Sequence, residues 1–320
     1  MPQSVGEPSD WCWPPHYLSR DARANRGYHD DSDNLLSTSN SIFRKYSPVR
    51  SIEDPKVSLM RILIVNSFHF HGGGDSTYAF NLAELLRSRG HQVAFFAMKD
   101  ARNVPDPNED LFANNIDFRE VNRHRSLGNA LRVVSRTVYS VEAGRKFAQL
   151  VDRFTPDVVH LQSIHAHITP SVIREANRRR IPVVWTLHDY KLLCPNTHFL
   201  VDGTGEVCEA CGANSYYRAV LKRCKKGSVL ASGVAALEAF VHRMIGVRHW
   251  VDLFLTPSSF LRRKLLGRGF PSDRVWHLPN FVPDDMFAQR VDDKGYLLFL
   301  GKLAPIKGVL PLLEAIRLLP

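Results

Sequence analysis

A regular alternation of short apolar runs and helical stretches begins abruptly at Met60, and this feature most constrains the fold. The first run covers residues 62–66 and leads into three consecutive glycines and an amphipathic pattern with helical spacing. Apolar strands that alternate with helices indicate a parallel sheet that helices cover on both faces. The sequence therefore predicts a doubly wound α/β domain over residues 60–283. Further strands are expected at residues 92–97, 158–162, 182–187, 253–256 and 275–278.

Other segments of the 320 residues differ in character. Residues 1–59 are polar and lack a sustained apolar period, which predicts a disordered tail. Residues 284–294 indicate a polar linker, and residues 295–320 predict the first strand and helix of a second, truncated α/β domain. One long helical region is expected over residues 127–154, whereas residues 190–228 lack a period and form an insertion rich in cysteine.

The charge of the chain favours an anionic partner. Lys and Arg number 42 against 32 Asp and Glu, and the excess of ten lies outside the N-terminal tail. Nucleic acid, an anionic membrane surface or a phosphorylated substrate would each fit, and general solubility is the alternative. No apolar run is long enough to span a membrane, and we expect no signal peptide. Five cysteines are too few for a disulfide scaffold, so we expect a cytoplasmic protein.

A glycine loop follows the first predicted strand, at the edge where a doubly wound sheet binds ligands. Gly72, Gly73 and Gly74 would let a ligand approach the backbone, and the next helix would offer its positive end to an anion. The loop matches neither the dinucleotide-binding pattern nor the phosphate-binding P-loop. A tight turn between strand and helix is therefore the alternative.

Three further side chains could carry chemistry. His188 directly follows a predicted strand, so it should lie at the same edge, where it can bond a sugar hydroxyl or move a proton. Lys302 and Lys307 lie between the strand and helix predicted for the C-terminal segment, where they could bind a diphosphate. The alternatives are a structural histidine and two solvated lysines.

The insertion contains a possible structural zinc site. Its four cysteines have the spacing C-x13-C-x2-C-x12-C, and four thiolates can hold zinc tetrahedrally. A redox pair, a disulfide and buried unligated thiols are the alternatives. The candidate ligands are Cys194, Cys208, Cys211 and Cys224.

In their order, these pieces resemble the family-four retaining glycosyltransferases of GT-B fold, which have two Rossmann-like domains. The resemblance rests on Met-Arg-Ile-Leu-Ile-Val-Asn before the glycines, Val-Trp-Thr-Leu-His-Asp at 184–189, Leu-Pro-Asn-Phe-Val-Pro at 278–283 and Phe-Leu-Gly-Lys-Leu at 299–303. One branch of the family carries His-Asp-Tyr followed by a four-cysteine insertion, as here. The resemblance implies transfer of a hexosyl sugar from a nucleotide-sugar donor to a glycan or lipid-linked acceptor in polysaccharide or glycoconjugate synthesis. It implies no metal essential for catalysis.

The resemblance also assigns roles to residues. Gly73 and Gly74 would face the reaction centre, His188 would contact the donor sugar, and Lys302 and Lys307 would neutralise the leaving diphosphate. The family usually has arginine at the position of Lys302, so bidentate phosphate binding is lost there. In addition, phenylalanine replaces the glycine of the family's usual Asn-Gly after Leu-Pro.

Two other functions compete with this interpretation. One is a basic, cysteine-containing module that binds nucleic acid, although no nucleic-acid-binding motif is present and we expect no such partner. The other is a pseudoenzyme that only binds an acceptor or partner. The basic residues also suggest a face for peripheral contact with an anionic membrane. That face would comprise Arg178, Arg179, Arg180, Lys222, Arg223, Lys225, Lys226, Arg262, Arg263 and Lys264.

We expect residues 1–320 alone to show no measurable sugar transfer, because the glutamates that hold the donor in this family would lie further along the second domain. Loss of positioning can remove about 7–11 kcal/mol of barrier reduction. The measurement compares sugar transfer by this chain with transfer by a chain extended with any downstream sequence of the gene. Equal rates for the two would contradict the expectation.

Overall fold

The computed structural model describes residues 58–115, 127–165, 167–212, 215–283 and 295–319. The predicted tail, apart from its last two residues, and the predicted linker lie outside these ranges. Within them the predicted α/β architecture is confirmed.

A six-stranded parallel sheet forms the centre of the fold. Its order is β2-β1-β3-β4-β5-β6, and every neighbouring pair is parallel. From β1 the chain moves to one side of the sheet for β2 and then to the other side for β3, so a switch point lies between β1 and β3. The strands are β1 (Arg61–Val65), β2 (Gln92–Phe96), β3 (Val158–Leu161), β4 (Val183–Thr186), β5 (Leu253–Thr256) and β6 (Val275–His277).

Helices lie between most of the strands. They are α1 (Gly74–Ser88), α2 (Leu127–Val138), α3 (Val141–Phe154), α4 (Ser171–Arg178), α5 (Tyr217–Leu221), α6 (Val229–Met244), α7 (Ser259–Leu266) and α8 (Val309–Ile316). The single helical region expected at residues 127–154 is two helices, because Ser140 caps α3 and accepts the backbone N–H of Ala143. Within the described ranges, no helix combines the length and apolarity that crossing a membrane requires.

The core lies on both faces of the sheet. Because side chains alternate along a strand, Ile64 of β1 packs with Ala79 of α1, whereas Leu63 packs on the opposite face with Phe147 of α3. All four of these side chains are almost fully buried. β1 is apolar at successive positions because helices cover both faces of the sheet, as the sequence predicted.

The insertion at residues 190–228 is held by hydrogen bonds and one buried ion pair rather than by a large apolar core. Asn196 donates from Nδ2 to the carbonyl oxygens of Leu200 (2.8 Å) and Cys224 (2.7 Å). Lys191 Nζ lies 2.6 Å from Glu238 Oε2 on α6, and both side chains are buried. This ion pair fastens the start of the insertion to α6.

The strand expected at the start of the C-terminal segment does not form. Residues 296–300 have no regular structure, and Leu300 is 92% exposed. A strand needs a neighbour to pair with its backbone groups, and the described residues provide no strand beside this segment. The helix expected next is confirmed as α8, whose apolar residues Leu310 and Leu313 are exposed.

Removing one partner of the Lys191–Glu238 pair should destabilise the fold strongly. Burial alone would raise the pKa of Glu238, but the charges of Lys191 and His242 and the hydrogen bond from Lys191 together outweigh burial, so the net pKa is lowered. The carboxylate therefore stabilises the fold above its unfolded-state pKa and loses this effect as the pH falls through its folded-state pKa. We expect Glu238→Gln to lower the free energy of unfolding at pH 7 by about 3–5 kcal/mol, because Lys191 is left charged and buried.

Urea denaturation followed by tryptophan fluorescence measures this loss. Glu209→Gln is the matched control, because it removes the exposed partner of Lys264 and should cost at most about 1 kcal/mol. The double variant Lys191→Met/Glu238→Leu should recover most of the stability, since no charge remains buried. If Glu238→Gln and Glu209→Gln lowered the free energy of unfolding equally, the large contribution expected from the buried pair would be contradicted.

Candidate active site

The candidate site lies at the carboxyl ends of β1 and β3, at the switch point where open α/β sheets bind ligands. Asn66 follows β1 and is buried. Its Oδ1 accepts the backbone N–H of Ser163 at 3.1 Å, and its Nδ2 donates to the carbonyl of Phe68 at 2.8 Å. The N–H of Ser67 donates to the carbonyl of Ser163 at 2.6 Å. These bonds join the loops after the two strands into one base for the site.

The glycine loop stands on this base and leads into α1. Gly73 is the N-cap residue, its backbone is extended, and no side chain caps the helix. A Cβ on Gly72 would lie 2.4 Å from the ring of Phe70, so the loop packs too closely there for a side chain. A Cβ on Gly74 would meet nothing within 4 Å. Gly74 thus leaves open space in front of the first turn of α1, where N–H groups have no intrahelical acceptor.

His188 reaches the same place from the loop after β4. Its Nε2 lies 2.7 Å from Oε1 of Gln162, the residue that follows β3. Burial lowers the pKa of His188, and the charges of Asp75 and Asp189 offset part of this effect. The imidazole is therefore neutral at pH 7, and the proton on Nε2 donates to Gln162. The lone pair on Nδ1 is left to accept a hydrogen bond.

Gln162 orients His188 and is itself held in place. Its carbonyl accepts the indole N–H of Trp185 at 2.8 Å, and its side chain is almost fully buried. Among the described residues, no partner accepts from its Nε2. A buried amide donor without an acceptor costs free energy, and such groups are common where a ligand binds.

Uncharged polar groups line the floor of the site. Oγ1 of Thr186 lies 2.8 Å from Nε2 of His160. Thr186 also partly offsets the effect of burial on the pKa of Tyr78. Burial, with a smaller effect from His188, lowers the pKa of His160 to about 4, and burial raises the pKa of Tyr78. The ring of Tyr78 lies 5.2 Å from the ring of His188 and 5.6 Å from that of Phe281. At neutral pH this floor therefore carries no charge.

The structure brings together only some of the predicted site residues. The start of α1, which directly follows the glycine loop, lies beside His188, since the ring of Tyr78 is near the histidine and the charge of Asp75 acts on it. Lys302 and Lys307 do not join them: among the described residues, no hydrogen bond, ion pair or ring contact links either lysine to this site. Their segment lacks the strand that would have positioned them, so their role stays a prediction.

Sequence reasoning missed Asn66 and Gln162 as site residues. Each is a polar residue directly after an apolar run, which is the same signal that identified His188. Phe281 was identified only as a replacement for glycine, and the structure adds that its ring packs on Tyr78. Its position over the floor could not be found from the sequence.

The four cysteines of the insertion are free and lie near one another. Burial first, and then the charges of the other three cysteines, raises the pKa of the Cys211 thiol to about 11. The disulfide alternative is not formed. In the described ranges, no group of three or more His, Cys, Asp or Glu side chains is arranged to hold a metal ion. Four thiols suit zinc chemically, so zinc binding stays a prediction that metal analysis of the purified protein can check.

Ion pairs offset part of the basic face that the sequence suggested. Arg179 pairs with Asp152 and Glu175. Lys222 pairs with Glu206 and Lys264 with Glu209. Carboxylates therefore pair with part of the ten predicted cations, and membrane contact through this face stays a prediction.

Several solved structures are distantly similar to this chain. UDP-N-acetylglucosamine 2-epimerase from Rickettsia bellii is 12% identical with a TM-score of 0.36, and the match covers 70% of this chain and 45% of the epimerase. HepE from Anabaena, in complex with UDP and glucose, is 14% identical with a TM-score of 0.33, with 69% and 44% covered. MurG from Acinetobacter baumannii is 10% identical with a TM-score of 0.27, with 71% and 80% covered. The chain thus spans under half the length of the first two.

A comparison with curated proteins finds no match. The sequence profile of Glycosyltransferase Family 4, in contrast, matches residues 72–286, about two thirds of the chain. The matched range begins at the glycine loop and includes Gln162, His188 and the whole insertion. This chain belongs to glycosyltransferase family 4.

Proposed function

We propose that this chain forms the acceptor-side part of an enzyme that transfers a sugar, with retention of configuration, from a nucleotide-sugar donor to a glycan or lipid-linked acceptor. One observation carries the proposal: a neutral His188, oriented by Gln162, lies beside the start of α1, where Gly74 leaves open space at the switch point of the sheet. Membership of the family supports glycosyl transfer. The donor type, the retention and the acceptor class follow from the resemblance of the sequence.

Each group has a part in this proposal. The lone pair on Nδ1 of His188 accepts a hydrogen bond from a sugar hydroxyl, and the bond from Nε2 to Gln162 prevents the ring from turning. The floor formed by His160, Thr186 and Tyr78 is uncharged, so its polar groups can form hydrogen bonds with sugar hydroxyls. Gly74 leaves room for the substrate, and the first turn of α1 directs N–H groups at it. Lys302 and Lys307 would supply positive charge to the leaving diphosphate.

His188→Ala should lower the turnover number of the complete gene product about 100-fold, within the range for a side chain that acts on a reacting group. The assay measures transfer of radiolabelled sugar from a panel of nucleotide sugars. His249→Ala is the control, because His249 is an exposed histidine that precedes the amino end of β5, away from the carboxyl ends of the strands, and should leave the rate unchanged. Transfer by His188→Ala at the wild-type rate would exclude a role of this histidine in the reaction.

The pH dependence tests the charge of His188. Since burial lowers its pKa, the neutral ring persists below pH 6.5, and the rate should fall only on the acid side of that value. The charge of Asp75 raises the pKa of His188, so Asp75→Asn should move the acid limb of the profile to lower pH. If the acid limb of the Asp75→Asn profile lay at the same pH as in the wild type, the proposed effect of Asp75 on the pKa of His188 would be contradicted.

Lys307→Ala should lower the turnover number by about 100- to 1,000-fold, because the charge of the leaving diphosphate then goes unopposed. Lys302→Arg should retain or raise activity, since a guanidinium can bind a phosphate through two bonds. Lys99→Ala, at another exposed lysine, is the control. The same sugar-transfer assay measures all three, and an unchanged rate for Lys307→Ala would remove this lysine from the mechanism.

A further inference from the structure

α6 has its large apolar side chains on the outside. The side chains that it buries are small or polar, namely those of Ser232, Ala235, Ala236 and Glu238. Besides Val229 at its first position, four large apolar residues are between 45% and 81% exposed, namely Leu230, Leu237, Phe240 and Met244. At 100° per residue, these four fall within about 80° of the helix circumference, opposite the buried side. They form a continuous apolar stripe about 21 Å long, which a surface helix that only covers a core does not need.

α5 extends this apolar surface. It packs on α6 through Ala219, which shares a small buried cluster with Ala236. Tyr217 and Leu221, one turn apart on α5, are 58% and 74% exposed. We call the exposed apolar side chains of the two helices the α5–α6 surface. An exposed apolar area built from two packed helices marks an interaction site more strongly than scattered apolar residues do.

The charges around the α5–α6 surface are nearly all positive. Residues 216–250 contain seven Lys and Arg but a single acid, Glu238, which is buried against Lys191. The insertion adds two acids nearby, because Glu206 pairs with Lys222 and Asp202 accepts the backbone N–H of Lys226. An excess of cations remains after these are counted. Arg243 lies in the last turn of α6 and Arg248 follows the helix. The other five cations precede α6, and they are Arg218, Lys222, Arg223, Lys225 and Lys226.

Several of these cations are unpaired among the residues that the structure describes. In the described parts of the chain, Arg223, Lys226 and Arg243 form no ion pair, and all three are exposed. They therefore remain available to an anionic partner. This differs from the face suggested by the sequence, in which Arg179 and Lys264 are already paired with carboxylates.

We propose that the α5–α6 surface binds the protein to an anionic lipid bilayer. The apolar stripe would enter the boundary between headgroups and acyl chains, with the helix axis parallel to the membrane. The flanking cations would lie at the level of the phosphates, where each contributes about fivefold to binding. Tyr217 is an aromatic residue of the kind that occupies this interface, and Phe240 is typical of the apolar face of a helix that lies in it. The proposal does not depend on the assignment of sugar transfer.

A second copy of this chain fits the surface less well. If two copies packed stripe to stripe with their helices antiparallel, the cations before α6 of one would meet Arg243 and Arg248 at the end of α6 of the other. Residues 216–250 offer no exposed carboxylate that could relieve this repulsion. The exposed side of a helix is also convex. A fluid lipid surface can adapt to this shape, whereas the rigid ridge of another helix cannot.

Co-sedimentation with vesicles tests the proposal. The vesicles contain phosphatidylcholine alone or phosphatidylcholine mixed with phosphatidylglycerol, at low and at high salt. We expect at least about tenfold tighter binding to the mixed vesicles at low salt, and a loss of this preference at high salt. Leu237→Glu/Phe240→Glu and Arg223→Glu/Lys226→Glu should each weaken binding to mixed vesicles about tenfold or more.

The matched control is Val141→Glu/Arg145→Glu, which changes an exposed apolar residue and an exposed cation one turn apart on α3. It should bind vesicles as the wild type does, and circular dichroism checks that every variant is folded. Equal binding to both vesicle types, or equal binding by all variants, overturns the proposal. A concentration-dependent dimer that Leu237→Glu/Phe240→Glu abolishes, without vesicle binding by the wild type, would instead assign the surface to self-association. Binding only to an acidic protein would likewise overturn it.

Discussion

The pairing of β1 with both β2 and β3 is the constraint on which the rest of the structure depends. The chain goes from β1 to β2 on one side of it and then returns to β3 on the other side. No connection therefore crosses the carboxyl ends of β1 and β3. The loops that begin there therefore diverge and leave a crevice. Asn66 bonds the two loops at their base, so the glycine loop, Gln162 and His188 are built on a fixed framework rather than on independent loops.

Burial then determines the chemistry of the crevice. His160, His188 and Tyr78 all have pKa values shifted toward the neutral form, and burial is the leading cause in each case. A charged floor would hold water and counterions. The neutral groups of this floor can instead replace their hydrogen bonds to water with hydrogen bonds to a polar, uncharged ligand. The hydrogen bond from His188 to Gln162 adds direction to this neutrality, because it fixes which ring nitrogen carries the proton.

The insertion links this crevice to a different surface of the molecule. It begins just after His188, and Lys191 ties its start to Glu238 on the buried side of α6. The opposite side of the same helix carries the α5–α6 surface. A short, loop-rich segment without a large core is thus held between the site and an exposed apolar helix by one ion pair, the hydrogen bonds of Asn196 and the cluster around Cys211. Whatever partner meets α6 would therefore contact an element that is directly joined to the site.

The sequence by itself determined the sheet, the helices that cover it and the edge at which His188 and the glycines lie, because apolar runs and turn residues are local signals. It did not determine the break between α2 and α3, which depends on one serine cap, nor the absence of a strand at residues 296–300, since a strand exists only with a neighbour. Gln162, Phe281 and the outward stripe of α6 also required the tertiary structure. A helical pattern shows that a helix has an apolar side, but only packing decides whether that side faces the core or the solvent.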